Sequence, residues 1–319
     1  MAAGRGVLRV SSRAKRSASV LALLSSLLLA CRGSDTPRVG SSRSDDAMLA
    51  DDSGAPGERA DGSASVDARG GTSSDASASS STGAGAAPPA AFACLAEHYA
   101  GRAIEIGGAG WSLELPDGTR VPHDDGRTKT AADRIASPDV EDIFALGYPT
   151  GPIVPVTDPE HDPGRVRLEP LFRATYGANA HEVSAALVPV KLARKTVRFH
   201  RRAAPALERV AARIDALLQA DPTLDRYFRD LGGTFATRTI AGTDRTSAHA
   251  WGIAIDIDTS QADYWRNGPK RVWRNRIPSV IVDAFEAEGF VWGGRWFHHD
   301  TMHFEYRPEL FDPRCRSAG

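Results

Sequence analysis

The chain has 319 residues, 41% of them hydrophobic and 25% charged, with a formal net charge of −1 and a pI of about 6.8. That balance excludes the strong overall field that draws nucleic acid or another highly charged partner, so recognition has to be local. The apolar residues are unevenly spread: between Arg32 and Pro89 they give way to Ser, Gly, Ala and Asp, and such a stretch cannot bury a core.

In chain order, residues 1–30 have the three parts of an export signal: basic residues up to Arg16, the apolar run SVLALLSSLLLA, and a small residue before Cys31. The run is too short for a spanning helix of about 20 residues. It ends in Leu28-Leu29-Ala30-Cys31, which resembles the lipobox of bacterial lipoproteins. That resemblance implies that Cys31 is lipidated and becomes the mature N-terminus, so the expected location is exported, anchored to a bacterial membrane on its periplasmic or cell-surface side. Residues 31–90 then read as a Ser/Gly/Ala/Asp-rich tether behaving as a flexible coil. In an oxidising compartment, with Cys31 taken by lipid, Cys94 and Cys315 remain; they bracket the globular part and are expected to pair as a disulfide.

Residues 91–319 read as one domain, with no internal repeat. AAFACLAEHYAG predicts a short helix ended by Gly101, and WSLELPDGTRVPHDDG two strands around the turn Pro116-Asp117-Gly118. NAHEVSAALVPV predicts a helix, with Asn179 as cap and Glu182 three residues on. In APALERVAARIDALLQA, Leu207, Val210, Ala211, Ile214, Leu217 and Leu218 recur at helical spacing opposite Glu208, Arg209, Arg213 and Asp215. TFATRTI, AIDID and TMHFEY read as strands by composition or alternation, and PSVIVDAFEAEG as a helix closed by Gly289. Strands grouped apart from helices predict an α+β domain, with a small antiparallel sheet and packed helices, rather than a parallel doubly wound sheet.

Chemistry concentrates in two stretches. In SAHAWGIAIDIDTS, alternation turns Ile253, Ile255 and Ile257 to the core and Ala254, Asp256 and Asp258 to the open face, while Gly252 lets the preceding turn bring His249 toward Asp256. In GFVWGGRWFHHDTMHFEY, Met302, Phe304 and Tyr306 share one face, leaving His303 and Glu305 on the other, so His303 can be a third ligand. Two imidazoles and one carboxylate, with a fourth position left to water, is the layout of a hydrolytic zinc site rather than a closed structural one. There is no His-Glu-x-x-His helix.

The patterns S-x-H-x-x-G-x-A-x-D, W-G-G-x-W and D-x-x-H-F-E together resemble the LAS-type zinc peptidases: the VanY-like D-alanyl-D-alanine carboxypeptidases and the L-alanyl-D-glutamate endopeptidases. The resemblance runs loosely over a catalytic core of about 152–311, through DPGRVR and GGTFATR. It implies a hedgehog-like D-Ala-D-Ala-peptidase fold and a single Zn2+ held by His249, Asp256 and His303. It also implies Asp300 as general base, Arg238 on a carboxylate or the scissile carbonyl, and Ser247 as a substrate contact. Glu305 is expected to support a ligand histidine. The implied activity is hydrolysis of a peptide bond in peptidoglycan stem peptides by a monomer, as carboxypeptidase or endopeptidase; the alternative is a non-catalytic, zinc-containing wall-binding lipoprotein. Trp292, Gly293, Gly294 and Trp296 are expected to form a tight turn at the cleft, and His298 and His299 have no assigned role.

Overall fold

The computed structural model describes residues 88–107, 110–240, 243–267 and 272–315. The expected export signal, the expected lipidation site Cys31 and the expected tether as far as residue 87 lie outside the described residues.

The chain opens with helix α1 (Ala90–His98), which buries Phe92 and Leu95, and continues into strands β1 (Arg102–Glu105), β2 (Trp111–Glu114) and β3 (Arg120–Pro122). These three form an antiparallel sheet in chain order, and the turn into β3 rests on Gly118 at φ +82°. Helix α2 (Ala131–Ala136) starts in a capping box, with the Thr130 hydroxyl accepting from Asp133 N and the Asp133 carboxylate accepting from Thr130 N. A long irregular segment then leads to α3 (Glu169–Tyr176) and α4 (Ala180–Ala185).

Asn179 caps α4 as its sequence predicts, accepting from Glu182 N at 3.1 Å. The helix nevertheless stops at Ala185, and Leu187–Leu192 is strand β4, paired with β5 (Lys195–His200) in a two-stranded hairpin. The expectation of helix through Val190 is corrected by the content of that end: Val188, Pro189 and Val190 favour extended backbone, and Pro189 has no N–H for a helix. Helix α5 (Ala204–Ala220) has a proline in its first turn and buries Leu207, Val210, Ala211 and Ile214.

The third sheet carries the site. Its strands β6 (Leu231–Gly233), β7 (Ala254–Asp258), β8 (Phe290–Trp292) and β9 (His303–Tyr306) lie in the order β6-β7-β9-β8, all antiparallel. The protein is therefore α+β as expected, with three small antiparallel sheets where one was predicted. Helix α6 (Ser279–Glu286) precedes β8, and Gly289 at φ +82° closes the connection. Beneath the sheet, Phe285 stacks on Phe304 at 4.0 Å between ring centroids, next to the fully buried Phe290 and Trp292.

TFATRTI does not extend β6. Beyond Gly233 the chain leaves the sheet and runs as a loop, in which only Thr239 bridges, to Thr246. The Thr234 hydroxyl donates to Arg198 O at 2.7 Å and Ala236 N to His249 O at 3.3 Å, so the loop is tied to its neighbours rather than paired as a strand. Cys94 and Cys315 form the expected disulfide, their Cα atoms 5.2 Å apart, and join α1 to the end of the described chain.

Candidate functional site

His249 sits in a short 3-10 turn, Ala248–Trp251, which ends at Gly252 in the left-handed region, φ +65°. A Cβ at Gly252 would lie 2.5 Å from Leu187 Cδ2, so both conformation and space call for glycine there. Asp256 lies mid-strand on β7 with His303 directly opposite on β9, so strand pairing alone sets these two side chains on one face. Gly232 runs alongside, and a Cβ there would come within 3.0 Å of Asp256 Cβ.

Three donor atoms converge. His249 Nε2 is 3.2 Å from Asp256 Oδ1 and 3.2 Å from His303 Nδ1, and His303 Nδ1 is 3.0 Å from Asp256 Oδ1. A tetrahedral zinc with bonds of about 2.0–2.1 Å has ligand-to-ligand edges of about 3.3 Å, so this triangle has the size of one coordination face. Both histidines are buried and Asp256 is half-buried. Burial works against charge on Asp256, yet the two imidazoles outweigh it and hold its carboxyl well below the usual range. Burial would likewise lower His303, but the bonds to Asp256 and Glu305 prevail and push it up to about 9. Such proton-sharing contacts are those a divalent cation replaces when carboxylate and imidazole bind it instead.

Asp300 lies in the turn before β9, where its backbone N–H donates to Gly293 O at 3.0 Å and its carbonyl accepts from His303 N at 3.2 Å. Its carboxyl is pushed up to about 7, first by burial and then by the negative charge of Asp256. Asp300 Oδ1 is buried and has no hydrogen-bond partner among the described residues. An orphaned acceptor beside three metal-type donors fits a group made to meet something bound there.

Behind the triangle, Glu305 is fully buried with its Oε2 3.4 Å from His303 Nε2. Burial opposes its charge, but Arg167 and His303 hold its carboxyl well below the usual range. The face of β9 expected to be open is thus covered at Glu305. Asp258 shares the phase of Asp256 but is not part of the site: it is buried, and it accepts from Ser260 N at 3.0 Å and from Asp230 N at 3.1 Å, closing the end of β7.

Arg238 is exposed in the loop after β6, with no side-chain ion pair or hydrogen bond among the described residues, and its positive charge acts on Asp300 and Tyr264. Its carbonyl accepts from Ser247 N at 3.2 Å, which sets Ser247 at the start of the His249 turn. The predicted turn Gly293–Arg295 is present, but its tryptophans differ in role. Trp292 is core, donating from Nε1 to Thr301 O at 2.9 Å, while the Trp296 ring lies 5.7 Å from that of His303. His298 Nδ1 meets Asp162 Oδ2 at 2.7 Å, and His299 is buried near Trp273. Neither histidine joins the triangle.

Sequence reasoning gave no role to Tyr264, nor to Asp162 and Arg167 within the DPGRVR stretch. Glu305 was the available signal for Arg167, because a carboxylate pointing inward from a core strand requires a buried cation. Two other groups of potential metal donors occur among the described residues. In one, Cys94 and Cys315 are joined as a disulfide beside His98 and Asp312; in the other, Asp124, Asp139 and Glu141, the Lys129 ammonium is bound to Asp139 at 2.7 Å.

No curated protein and no solved structure matches the chain. A family model described as D-alanyl-D-alanine carboxypeptidase matches residues 241–306. That span holds His249, Asp256, Asp300, His303 and Glu305, so the match bears out the resemblance to the VanY-like peptidase family on the segment that builds the triangle.

Proposed function

We propose that the protein is a zinc peptidase that cleaves the peptide stems of peptidoglycan, as a D-alanyl-D-alanine carboxypeptidase or an L-alanyl-D-glutamate endopeptidase. The observation that carries this reading is the His249–Asp256–His303 triangle, with the buried, unpartnered Oδ1 of Asp300 beside it. Zinc bound there supplies a Lewis acid and brings the pKa of a coordinated water to roughly 7. Asp300 accepts the proton of the attacking water and returns it to the leaving amine; its burial suits a group that must exist in both protonation states near neutrality. Arg238, exposed and uncommitted, pairs with a substrate carboxylate or the scissile carbonyl oxygen, tasks that suit a guanidinium. Ser247 offers a hydroxyl beside the first ligand.

In this reading the fold is of the hedgehog-like D-Ala-D-Ala-peptidase type and the protein acts as a monomer. Residues 1–30 direct export, Cys31 carries the lipid and residues 31–90 let the domain reach the wall from the membrane. Digestion of purified wall fragments by the zinc-loaded protein, followed by mass analysis, tests the reading. Loss of one terminal alanine identifies a carboxypeptidase, and release of a stem peptide cut after its first residue identifies an endopeptidase. Intact fragments at full zinc occupancy would overturn the catalytic reading in favour of a wall-binding lipoprotein.

A further inference from the structure

Glu305 needs a countercharge, because an ionised carboxylate with no exposure is strongly unfavourable unless paired. Arg307, two residues on, brings a buried guanidinium to 3.6 Å from Oε1, but the close, two-pronged pair comes from far along the chain. Arg167, itself buried, forks onto Glu305: Nε donates to Oε1 at 2.6 Å and Nη2 donates to Oε2. The same Oε2 faces Nε2 of His303 at 3.4 Å, so the other ring nitrogen, Nδ1, is the one turned into the triangle. Which nitrogen of a histidine binds a metal is set by the bond that the other one makes.

The segment around Arg167 also grips the first ligand's side of the site. Glu169 accepts from Thr246 N at 2.8 Å and from the Thr246 hydroxyl at 2.9 Å, three residues before His249. Gly164 O and Val166 O accept from the buried Arg307 guanidinium at 2.7 and 2.9 Å, just beyond β9. Residues 164–169 thus hold both ligand-bearing stretches, although they lie outside the 241–306 match.

We propose that Arg167 is a positioning residue of the metal centre. Resting on the zinc-peptidase reading, this inference gives Arg167 the task of holding Glu305 in the orientation that receives the Nε2–H of His303, so that Nδ1 is presented to the metal. The planar fork fixes both carboxylate oxygens at once. A lysine supplies the same charge at one point and leaves the carboxylate free to turn.

The test is zinc affinity, measured on the metal-stripped full-length protein by competition with a chromophoric chelator. Arg167→Lys and Glu305→Gln should each weaken zinc binding about 10- to 100-fold. Their double variant should be scarcely weaker than the poorer single, since both act through His303. Thermal melting of the metal-stripped proteins shows that each is folded. Should Arg167→Lys not fold, the pair Arg167→Met/Glu305→Gln, which removes both buried charges together, must show the same loss. Zinc binding within twofold of the parent in a folded Arg167→Lys, or losses that multiply in the double variant, would overturn the positioning role. A parent that binds no zinc at all would instead bring down the reading beneath it.

Discussion

The proposed mechanism gives Asp300 and the ligand candidates different tasks, and substitution separates them. Asp300→Asn keeps the shape of the side chain but removes its ability to take a proton from water. We expect zinc content near that of the parent and turnover of wall peptides lower by about 10²–10⁴ at neutral pH, the usual cost of losing a positioned general base. His249→Ala should lose both metal and turnover, because it removes a corner of the triangle. Metal analysis and product assays on the same preparations check both. Asp300→Asn with activity within a few-fold of the parent would rule out Asp300 as the base.

The hairpin β4–β5 supports the His249 turn at two points. Leu187 stands where a Cβ at residue 252 would strike, and His200 N donates to Gly252 O at 2.8 Å. The His200 ring is buried edge-on against Tyr176 with Nδ1 accepting from Arg202 N at 3.2 Å, and burial lowers its pKa to about 4. Unfolded, the ring titrates near 6.5, so between about pH 6.5 and 4 the unfolded chain binds a proton that the folded one refuses. The stability that His200 contributes is therefore complete above about pH 6.5 and is lost as the pH falls toward 4. His200→Asn keeps an acceptor for Arg202 N and removes the titration. Denaturant unfolding at pH 7 and pH 5 should show the parent losing about 2 kcal/mol more than the variant over that interval. Equal losses would remove His200 from the acid response.

Across the whole molecule, the Cys94–Cys315 bridge spans 221 positions and fastens α1 to the far end of the described chain. Tyr99 adds to this closure, its hydroxyl donating to the buried Glu309 at 2.5 Å. Replacing both cysteines by serine should lower stability by about 2–5 kcal/mol, chiefly by freeing the unfolded chain. Thiol reagents should leave both positions unlabelled until reductant is added. Rapid labelling without reductant, or an unchanged unfolding midpoint in the double variant, would contradict a stabilising bridge.

The triangle was legible in the sequence through two locally patterned stretches and the motif resemblance that links them, although its donors lie up to 54 positions apart. Alternation on β7 and β9 fixes which residues share a face, and a glycine three residues after His249 marks where the turn bends. The α5 stripe and the Asn179 cap were equally legible, for their signals lie within one or two helical turns. Where signals competed, the outcome had two sources. Residues 187–190 follow their own β-branched and proline content into a hairpin with the adjacent β5, whereas 234–240 left the sheet because neighbours held it as a loop. Composition by itself sets the expectation that the core domain follows a stretch poor in large apolar residues, and the cysteine positions indicated a closure between the ends of that domain. The forked partner of Glu305 was decided by tertiary structure, beside the weaker pair with its chain neighbour Arg307. Sequence shows that a buried carboxylate needs a cation, but only the packed chain selects Arg167, 138 positions away, from its many arginines, since pairing of buried charges depends on distance in space and not along the chain.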